Sequence, residues 1–267
     1  MRNFYKPGRS VTYGTKGAVA TSSTHSSEVA LSILKSGGNA MDAAIAACAV
    51  QCVVDPMQTG IGGDCFALVA VGGSAAIEGL NGSGKAPGAL TAEYLLGEGY
   101  TKMEATSPHA VTIPGAIDAW TRLHAKYGSM DFADILAPAI DFAENGFVVT
   151  QRTSLDWKKD VEKLLKNKAA SEIYLKNGQP PKAGEIWKLP KLAATLKKIA
   201  KEGRSAFYEG PIAEQMVEAL RATGGVHEAA DFAATSADFV ETISSKYQGN
   251  TIHQIPPSGQ GITALIM

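Results

Sequence analysis

The 267-residue sequence has few cysteines, almost no net charge and no long apolar run. Its three cysteines, Cys48, Cys52 and Cys65, form no Cys-x-x-Cys pair and have no histidine at a metal-ligand spacing, so we expect neither disulfides nor a metal site. A net charge of −1 provides no positive field for nucleic acid. Because no apolar run approaches about 18 residues, we expect no membrane-spanning segment.

The first ten residues, MRNFYKPGRS, carry positive charge but lack the apolar stretch of a secretory signal. We therefore expect a cytoplasmic protein. Charged residues make up 19% of the chain, below the usual quarter, and alanine and glycine are plentiful, which indicates closely packed layers. No stretch has the length and composition of an interdomain linker, so the sequence predicts one domain over residues 1–267.

Helical spacing with capping residues predicts a largely helical chain, with helices over residues 28–35, 40–54, 116–128, 132–146, 189–203 and 211–225 and an interrupted helix at ITALIM (262–267). Asn39 is positioned to cap the second helix, and Asp55-Pro56 to end it. Cys48 and Cys52 lie four residues apart on this alanine-rich helix and are predicted to be buried.

Strands are predicted over fewer residues. CFALVAV (65–71) and AAIEGL (75–80) flank a Gly-Gly-Ser turn and predict an antiparallel hairpin. Further strands are predicted at GAVAT (17–21), HAVTI (109–113), and FVETISSKY (239–247) paired with NTIHQI (250–255). The opening order of strand, two helices and hairpin is not a βαβ repeat, so the fold class is α+β.

The local motifs identify no self-contained catalytic site. Gly60, Gly62 and Gly63 resemble half of a dinucleotide fingerprint, but they follow a helix and precede a strand, which is the reverse of the required order. We interpret them as a buried crossing too tight for side chains. Asp64 is either an acceptor for turn amides, which we favour, or a site residue. No Gly-x-Ser-x-Gly elbow is present, and of the five scattered histidines only His109 is a candidate to line a site.

The order of several longer strings is more specific. GGNAMDAA (37–44), GIGGD (60–64), VTIPGAIDAW (111–120) and PPSGQG (256–261), in this sequence and spacing, resemble the gamma-glutamyltransferase family. The resemblance extends from about residue 4 to residue 267.

The resemblance implies an N-terminal nucleophile hydrolase with a four-layer αββα sandwich. Such proteins cleave themselves and expose a threonine at the start of a small subunit, where its hydroxyl attacks the substrate carbonyl and its own amine is the base. The chain then represents the large subunit without its last helical segment. We therefore expect no catalytic residue here, no cofactor, a small subunit from the same precursor as partner, and possible pairing of two heterodimers.

The segment NGSGKAP (81–87) departs from the family pattern. Members that act on γ-glutamyl compounds have Asp-x-Arg-Glu-x-Ala-Pro there, and the arginine binds the α-carboxylate of the substrate. This sequence has Asn81, Ser83 and Gly84 at the three polar positions and Lys85 at the variable one. Those four residues, with His109, are the predicted substrate-binding residues.

The altered segment, together with PGRS (7–10), is more similar to the oxamate amidohydrolase and cephalosporin-acylase-like branch. The first hypothesis is therefore hydrolysis of a small amide, oxamate-like or acyl, that is not a γ-glutamyl compound. A second is a γ-glutamyl hydrolase or transferase in which Lys85 or a small-subunit cation replaces the arginine. A third is a non-catalytic homologue that binds or scaffolds.

Overall fold

The computed structural model describes residues 11–267. The PGRS segment, on which part of the predicted branch depends, lies outside the described residues. The described residues form these α-helices: α1 (Thr24–Lys35), α2 (Ala40–Val54), α3 (Ala92–Gly97), α4 (Ala116–Tyr127), α5 (Phe132–Asn145), α6 (Gln151–Lys159), α7 (Val161–Leu165), α8 (Lys168–Tyr174), α9 (Pro190–Glu202), α10 (Ser205–Tyr208), α11 (Pro211–Arg221), α12 (Ala229–Ala233) and α13 (Gly261–Ile266).

The strands form one three-stranded and two two-stranded sheets, all antiparallel. They are β1 (Cys65–Val69), β2 (Glu78–Gly82), β3 (Phe147–Val148), β4 (Ile186–Trp187), β5 (Asp238–Glu241), β6 (Ile243–Tyr247) and β7 (Asn250–Gln254). The predicted hairpin is confirmed as β1 and β2, which pair from Cys65↔Gly82 to Val69↔Glu78. β2 is the central strand, with β1 on one side and β5 on the other.

The helices pack as a layer around α2, which lies between α1 and α5, while α5 also packs on α9. α2 is alanine-rich and ten of its fifteen residues are buried, so it approaches its neighbours closely. Asn39 caps it as predicted, accepting from the amides of Met41 and Asp42, and the Asp42 carboxylate accepts from the Asn39 amide at 2.9 Å. Asp55 is its C-terminal cap, so the predicted end is confirmed.

Helix α4 connects this layer to the sheet, because it contacts α2, β1 and β2. At its last turn, Lys126 and Tyr127 both bond the Glu78 carboxylate on β2, and the Lys126 bonds measure 2.6 Å. These hydrogen bonds lower the pKa of Glu78, and the bond from Lys126 has the largest effect. The Lys126 ammonium also lies 4.2 Å from the centre of the Phe239 ring on β5.

Two predicted strands are wrong. Residues 17–21 form no strand with any described residue, and Thr21 instead bonds Ser23 O at 2.6 Å in the approach to α1. Residues 109–113 also form no strand, because a 3₁₀ turn occupies Pro108–Ala110. The carbonyl of Val111 and the amide of Ile113 find partners outside any ladder, so the backbone there is satisfied without a neighbouring strand.

The predicted strand over 239–247 is divided. β5 pairs with β2, and β6 pairs with β7 after a break at Thr242. The Thr242 hydroxyl lies 2.9 Å from His253 Nδ1, so it is held by a side chain at the point where the chain leaves the first sheet. Within residues 11–267, every helix is too short or too polar to cross a bilayer.

Candidate substrate-binding site

The predicted substrate-binding turn begins where β2 ends. The Asn81 side-chain oxygen accepts from the Ser83 amide at 3.1 Å, which closes an Asx turn. The Ser83 hydroxyl lies 3.1 Å from Gly84 O and 3.2 Å from the Ser258 hydroxyl, while Asn81 Nδ2 is 3.5 Å from the same Ser258 oxygen. Asn81, Ser83 and Gly84 are therefore one cluster, and Ser258 belongs to it.

Backbone contacts hold this turn tightly. Gly84 has φ +76, and a Cβ there would collide with Ile113 O. The Ile113 amide donates to Lys85 O at 2.8 Å, so the two segments are joined as well as closely packed. A Cβ on Gly115 would likewise collide with the carbonyl of Gly82. Glycine is required at both positions because any side chain there would prevent the turn from packing against residues 113–115.

The segment that carries Ser258 approaches β2 beside Gly79, the second residue of that strand. A Cβ on Gly79 would be 2.8 Å from Ile255 Cδ1, so the missing side chain leaves the space that Ile255 occupies. Ile255 is buried and directly precedes PPSGQG (256–261), which places Ser258 over the end of β2. Sequence reasoning used PPSGQG only for the family resemblance and missed Ser258. The glycine inside β2 was the available signal.

Lys85 differs from its neighbours because its side chain is exposed and forms no ion pair with a described residue. It is the one charged residue in segment 81–87. The groups that Asn81, Ser83 and Gly84 present are neutral amide, hydroxyl and backbone groups. The turn can therefore hydrogen-bond a small polar substrate, and it offers one exposed ammonium rather than a buried guanidinium.

His109 lies outside this cluster. Its side chain is 6% exposed, and it packs edge-on against Tyr94 and Tyr100, with ring centres 5.8 and 5.2 Å apart. The backbone amide of His109 donates to Ser107 Oγ at 3.2 Å and therefore forms no hydrogen bond with the turn. His109 Nδ1 is buried without a partner among the described residues, and no hydrogen bond joins the ring to segment 81–85.

A buried charge cluster supports the segment behind the turn. The Asp118 carboxylate, fully buried in the first turn of α4, accepts from Arg122 Nε at 2.8 Å, Arg204 Nε at 2.6 Å and the Ala237 amide at 2.6 Å. Because both carboxylate oxygens are bonded to cations, the cost of burying the charge is offset. The cluster joins α4 to the start of α10 and to the segment before β5.

Tyr208 extends that cluster to the turn. Its hydroxyl donates to Pro114 O at 2.7 Å and accepts from the Asp118 amide at 3.1 Å. Burial raises the pKa of Tyr208, so the hydroxyl stays a donor at neutral pH. Since Pro114 lies between Ile113 and Gly115, Tyr208 fixes the segment against which the turn packs.

The interpretation of the GIGGD glycines is wrong. A Cβ on Gly60 or Gly62 would meet nothing within 4 Å, so neither lies in a crowded crossing. Gly63 instead contributes its carbonyl, which accepts from the amides of Gly115 and Ala116 at 2.9 and 3.1 Å. The favoured acceptor role of Asp64 is also wrong, because its exposed carboxylate accepts no hydrogen bond from a described residue.

The cysteines offer no nucleophile. Burial raises the pKa of Cys52 and of Cys65 to about 12, and desolvation by the surrounding groups raises that of Cys48 although its side chain remains accessible, so all three are thiols at neutral pH. Cys52 is buried as predicted, whereas the prediction for Cys48 is wrong because it is exposed on α2. Within residues 11–267, no group of three or more histidine, cysteine and carboxylate side chains could hold a metal ion.

A cavity of about 610 Å³ is lined by residues of α2 and α4, by Asn39 and by residues 65–72. None of Asn81, Ser83, Gly84, Lys85 or His109 lines it. The predicted substrate residues therefore form an open turn rather than an enclosed pocket within this chain.

Comparison with known proteins gives consistent matches. The family described as gamma-glutamyltranspeptidase matches residues 26–267. The Glutathione hydrolase-like YwrD proenzyme of Bacillus subtilis (strain 168) is 36% identical over 253 residues, covering 95% of this chain and 48% of the relative. This chain therefore spans about half the length of that protein.

Two solved structures are similar over nearly the whole chain. The gamma-glutamyltranspeptidase of Helicobacter pylori has a TM-score of 0.90 at 28% identity, and the match covers 96% of this chain and 74% of that one. The cephalosporin acylase from Bacillus halodurans has a TM-score of 0.86 at 35% identity, with 97% of this chain and 51% of that one covered. The predicted α+β fold of the N-terminal nucleophile hydrolases is confirmed.

Proposed function

The chain belongs to the gamma-glutamyltranspeptidase family, as its motifs predict, and we propose that residues 1–267 are one domain, the large-subunit portion of a self-cleaving amide hydrolase. A small subunit from the same precursor supplies the threonine nucleophile, whose own amine is the base. Backbone amides stabilise the oxyanion. Two observations support this division into two subunits. The YwrD relative is a proenzyme, and this chain spans about half of its length.

The proposed substrate is a small amide, oxamate-like or acyl, that is not a γ-glutamyl compound. The observation that carries this proposal is the neutral turn at Ser83. Its hydroxyl is occupied by Gly84 O and Ser258, and no guanidinium among the described residues contacts it. A substrate α-carboxylate buried there would lack its bidentate partner, which costs several kcal/mol, on the order of 3–5. Similarity to a cephalosporin acylase at 35% identity is consistent with this choice.

The experiment compares kcat/KM of the processed enzyme for γ-glutamyl-p-nitroanilide, oxamate and an acyl amide. We expect the small amides to be the better substrates. Ser83→Arg should raise kcat/KM for the γ-glutamyl substrate and lower it for the others. Ser32→Arg is the matched control, because Ser32 is exposed on α1 far along the chain from the turn. Efficient γ-glutamyl hydrolysis by the unmodified enzyme, with no turnover of the other amides, would contradict the proposal.

Lys85 supports a second candidate function, a γ-glutamyl hydrolase or transferase. Its ammonium is exposed and has no competing ion pair among the described residues, so it is free to approach a substrate carboxylate. In that case Lys85→Met should remove γ-glutamyl turnover while Lys35→Met, an exposed change at the end of α1, leaves it intact. If both variants keep the same activity, Lys85 does not bind the substrate.

A further inference from the structure

Ser258 lies in the middle of a loop that closes on itself. The loop begins at buried Ile255 and ends at Gly261, where a Cβ would be only 2.8 Å from Ile255 O. The Ile255 side chain also occupies the space beside Gly79, so the base of the loop is anchored on β2. Ser258 itself is exposed. The loop therefore holds the Ser258 hydroxyl beside the turn (81–84) and leaves it accessible to a ligand.

The hydroxyl groups of Ser83 and Ser258 have different roles in their contact. Ser83 Oγ donates to Ser258 Oγ at 3.2 Å, and Asn81 Nδ2 approaches the same oxygen at 3.5 Å. A serine hydroxyl has one donor hydrogen and two acceptor lone pairs. Ser258 Oγ thus faces two donors, and no described residue accepts its hydrogen. The Ser83 hydrogen, by contrast, is directed at Ser258 and at Gly84 O, which is 3.1 Å away.

This arrangement makes Ser258 a donor toward solvent. A hydroxyl that accepts hydrogen bonds becomes a stronger donor, because successive hydrogen bonds polarise one another. Ser258 therefore presents an unused donor hydrogen at the surface of the turn, whereas the hydrogen of Ser83 is already used within it. Lys85 adds an exposed ammonium two residues beyond Ser83. Donors of these two kinds bind an oxygen acceptor, either a carboxylate or a carbonyl oxygen.

We propose that Ser258 determines substrate specificity: its hydroxyl donates to an oxygen acceptor on the acyl group of the amide substrate. Ser83 is then a positioning residue, which acts through Ser258 rather than by touching the substrate. The inference rests on the proposed function and narrows its substrate class to small amides whose acyl group carries an oxygen acceptor. Sequence reasoning assigned this contact to Ser83, because no spacing rule connects the turn with a serine so distant in the chain.

The test compares amides of equal size in the processed enzyme. Oxamate carries a charged oxygen acceptor beside the scissile amide, pyruvamide a neutral one, and isobutyramide only methyl groups. Ser258→Ala should lower kcat/KM by about tenfold for oxamate and about threefold for pyruvamide, mainly through KM, and should leave isobutyramide unchanged. A compound that is not cleaved is measured as a competitive inhibitor, with Ki in place of KM. Equal effects on all three amides overturn the inference, because Ser258 then has only a structural role.

Three further variants separate a substrate contact from a positioning role. Ser258→Thr keeps the hydroxyl and should retain kcat/KM for oxamate within about threefold. Ser83→Ala removes one donor to Ser258 but not the contact itself, so its loss with oxamate should be smaller than that of Ser258→Ala. Ser244→Ala changes an exposed serine of β6 and should match the unmodified enzyme. A larger loss in Ser83→Ala than in Ser258→Ala assigns the contact to Ser83 and overturns the inference.

The substrate profile of the unmodified enzyme separates failure of this inference from failure of the proposed function. Turnover of γ-glutamyl-p-nitroanilide without turnover of any small amide contradicts the proposed function, and this inference fails with it. A preference for isobutyramide over oxamate and pyruvamide, or a preference for oxamate that Ser258→Ala leaves unchanged, contradicts this inference alone.

Discussion

The turn after β2 and the edge of β1 are joined by one hairpin, yet they differ in how far this chain completes them. Around the turn, Gly84 and Gly115 pack against facing carbonyls, and Tyr208 bonds Pro114 O. Along β1, by contrast, one backbone edge is unpaired among the described residues, and apolar side chains line the cavity of about 610 Å³. The described residues therefore hold the candidate substrate turn in place, whereas they leave the outer edge of β1 open.

The difference predicts which substitutions affect this chain alone. Changes at the turn and its supporting cluster should lower the free energy of unfolding of the 267-residue chain itself. Changes at exposed positions of the cavity wall should leave that free energy nearly unchanged.

The largest effect is expected for Gly84→Ala. The residue would adopt φ +76 and its Cβ would collide with Ile113 O, so the free energy of unfolding should fall by about 3–5 kcal/mol. Gly99→Ala is the matched control, because Gly99 has φ +80 but open space around its Cβ position. That variant should lose only about 1–2 kcal/mol. Urea denaturation measures both, and equal losses would show that the close approach to Ile113 is unimportant.

A smaller loss is expected for Arg204→Met. It removes one of the two cations on buried Asp118, but Arg122 and the Ala237 amide remain, so we expect a loss of about 2–3 kcal/mol. Lys197→Met removes the exposed pair with Glu144 and should cost less than about 1 kcal/mol. Thermal unfolding compares them. Equal stabilities would mean that the cluster does not hold the turn's supporting segment.

Two buried aspartates should respond to pH in opposite directions. Burial acts to raise the pKa of Asp42, but bonds from Ser129, Asn39 and Met130 outweigh it and hold the pKa below 3.8. Its carboxylate therefore contributes stability above pH 3.8 that is lost as the pH falls through the folded pKa. Burial raises the pKa of Asp55, so its charge is a penalty at neutral pH that disappears as the pH falls to 3.8.

At pH 7, Asp42→Asn should therefore cost about 1–3 kcal/mol, while Asp55→Asn should be neutral or stabilising. Urea titrations across the pH range check the signs. A loss of stability in Asp55→Asn as large as that in Asp42→Asn would contradict the assignment.

The smallest effect on the chain alone is expected for Ala44→Lys. Ala44 is exposed in the wall of the open cavity, so the longer side chain displaces no packed residue and stability should change by less than about 0.5 kcal/mol. Circular dichroism during urea denaturation checks this. A loss of several kcal/mol would mean that the cavity wall at Ala44 is part of this chain's own core.

Sequence reasoning succeeds where the determinants are local. Asn39 and Asp42 lie three residues apart and define the cap of α2, and the hairpin of β1 and β2 follows from two apolar runs about a turn. It fails where partners are distant in the chain. Asp118 and Arg204 are 86 residues apart and Ser83 and Ser258 are 175 apart, and no spacing rule connects such pairs. The substrate-binding role of the turn was predicted only through the family resemblance.

Hydrogen–deuterium exchange tests the central comparison most directly. The amides of Ile113 and Gly115, which donate to Lys85 O and Gly63 O, should exchange slowly both in the chain alone and in the processed enzyme. The β1 amides that point away from β2 should exchange rapidly in the monomeric chain, because no described residue pairs with them. Slow exchange of those β1 amides in the monomeric chain, or rapid exchange of the Ile113 and Gly115 amides, would contradict the account.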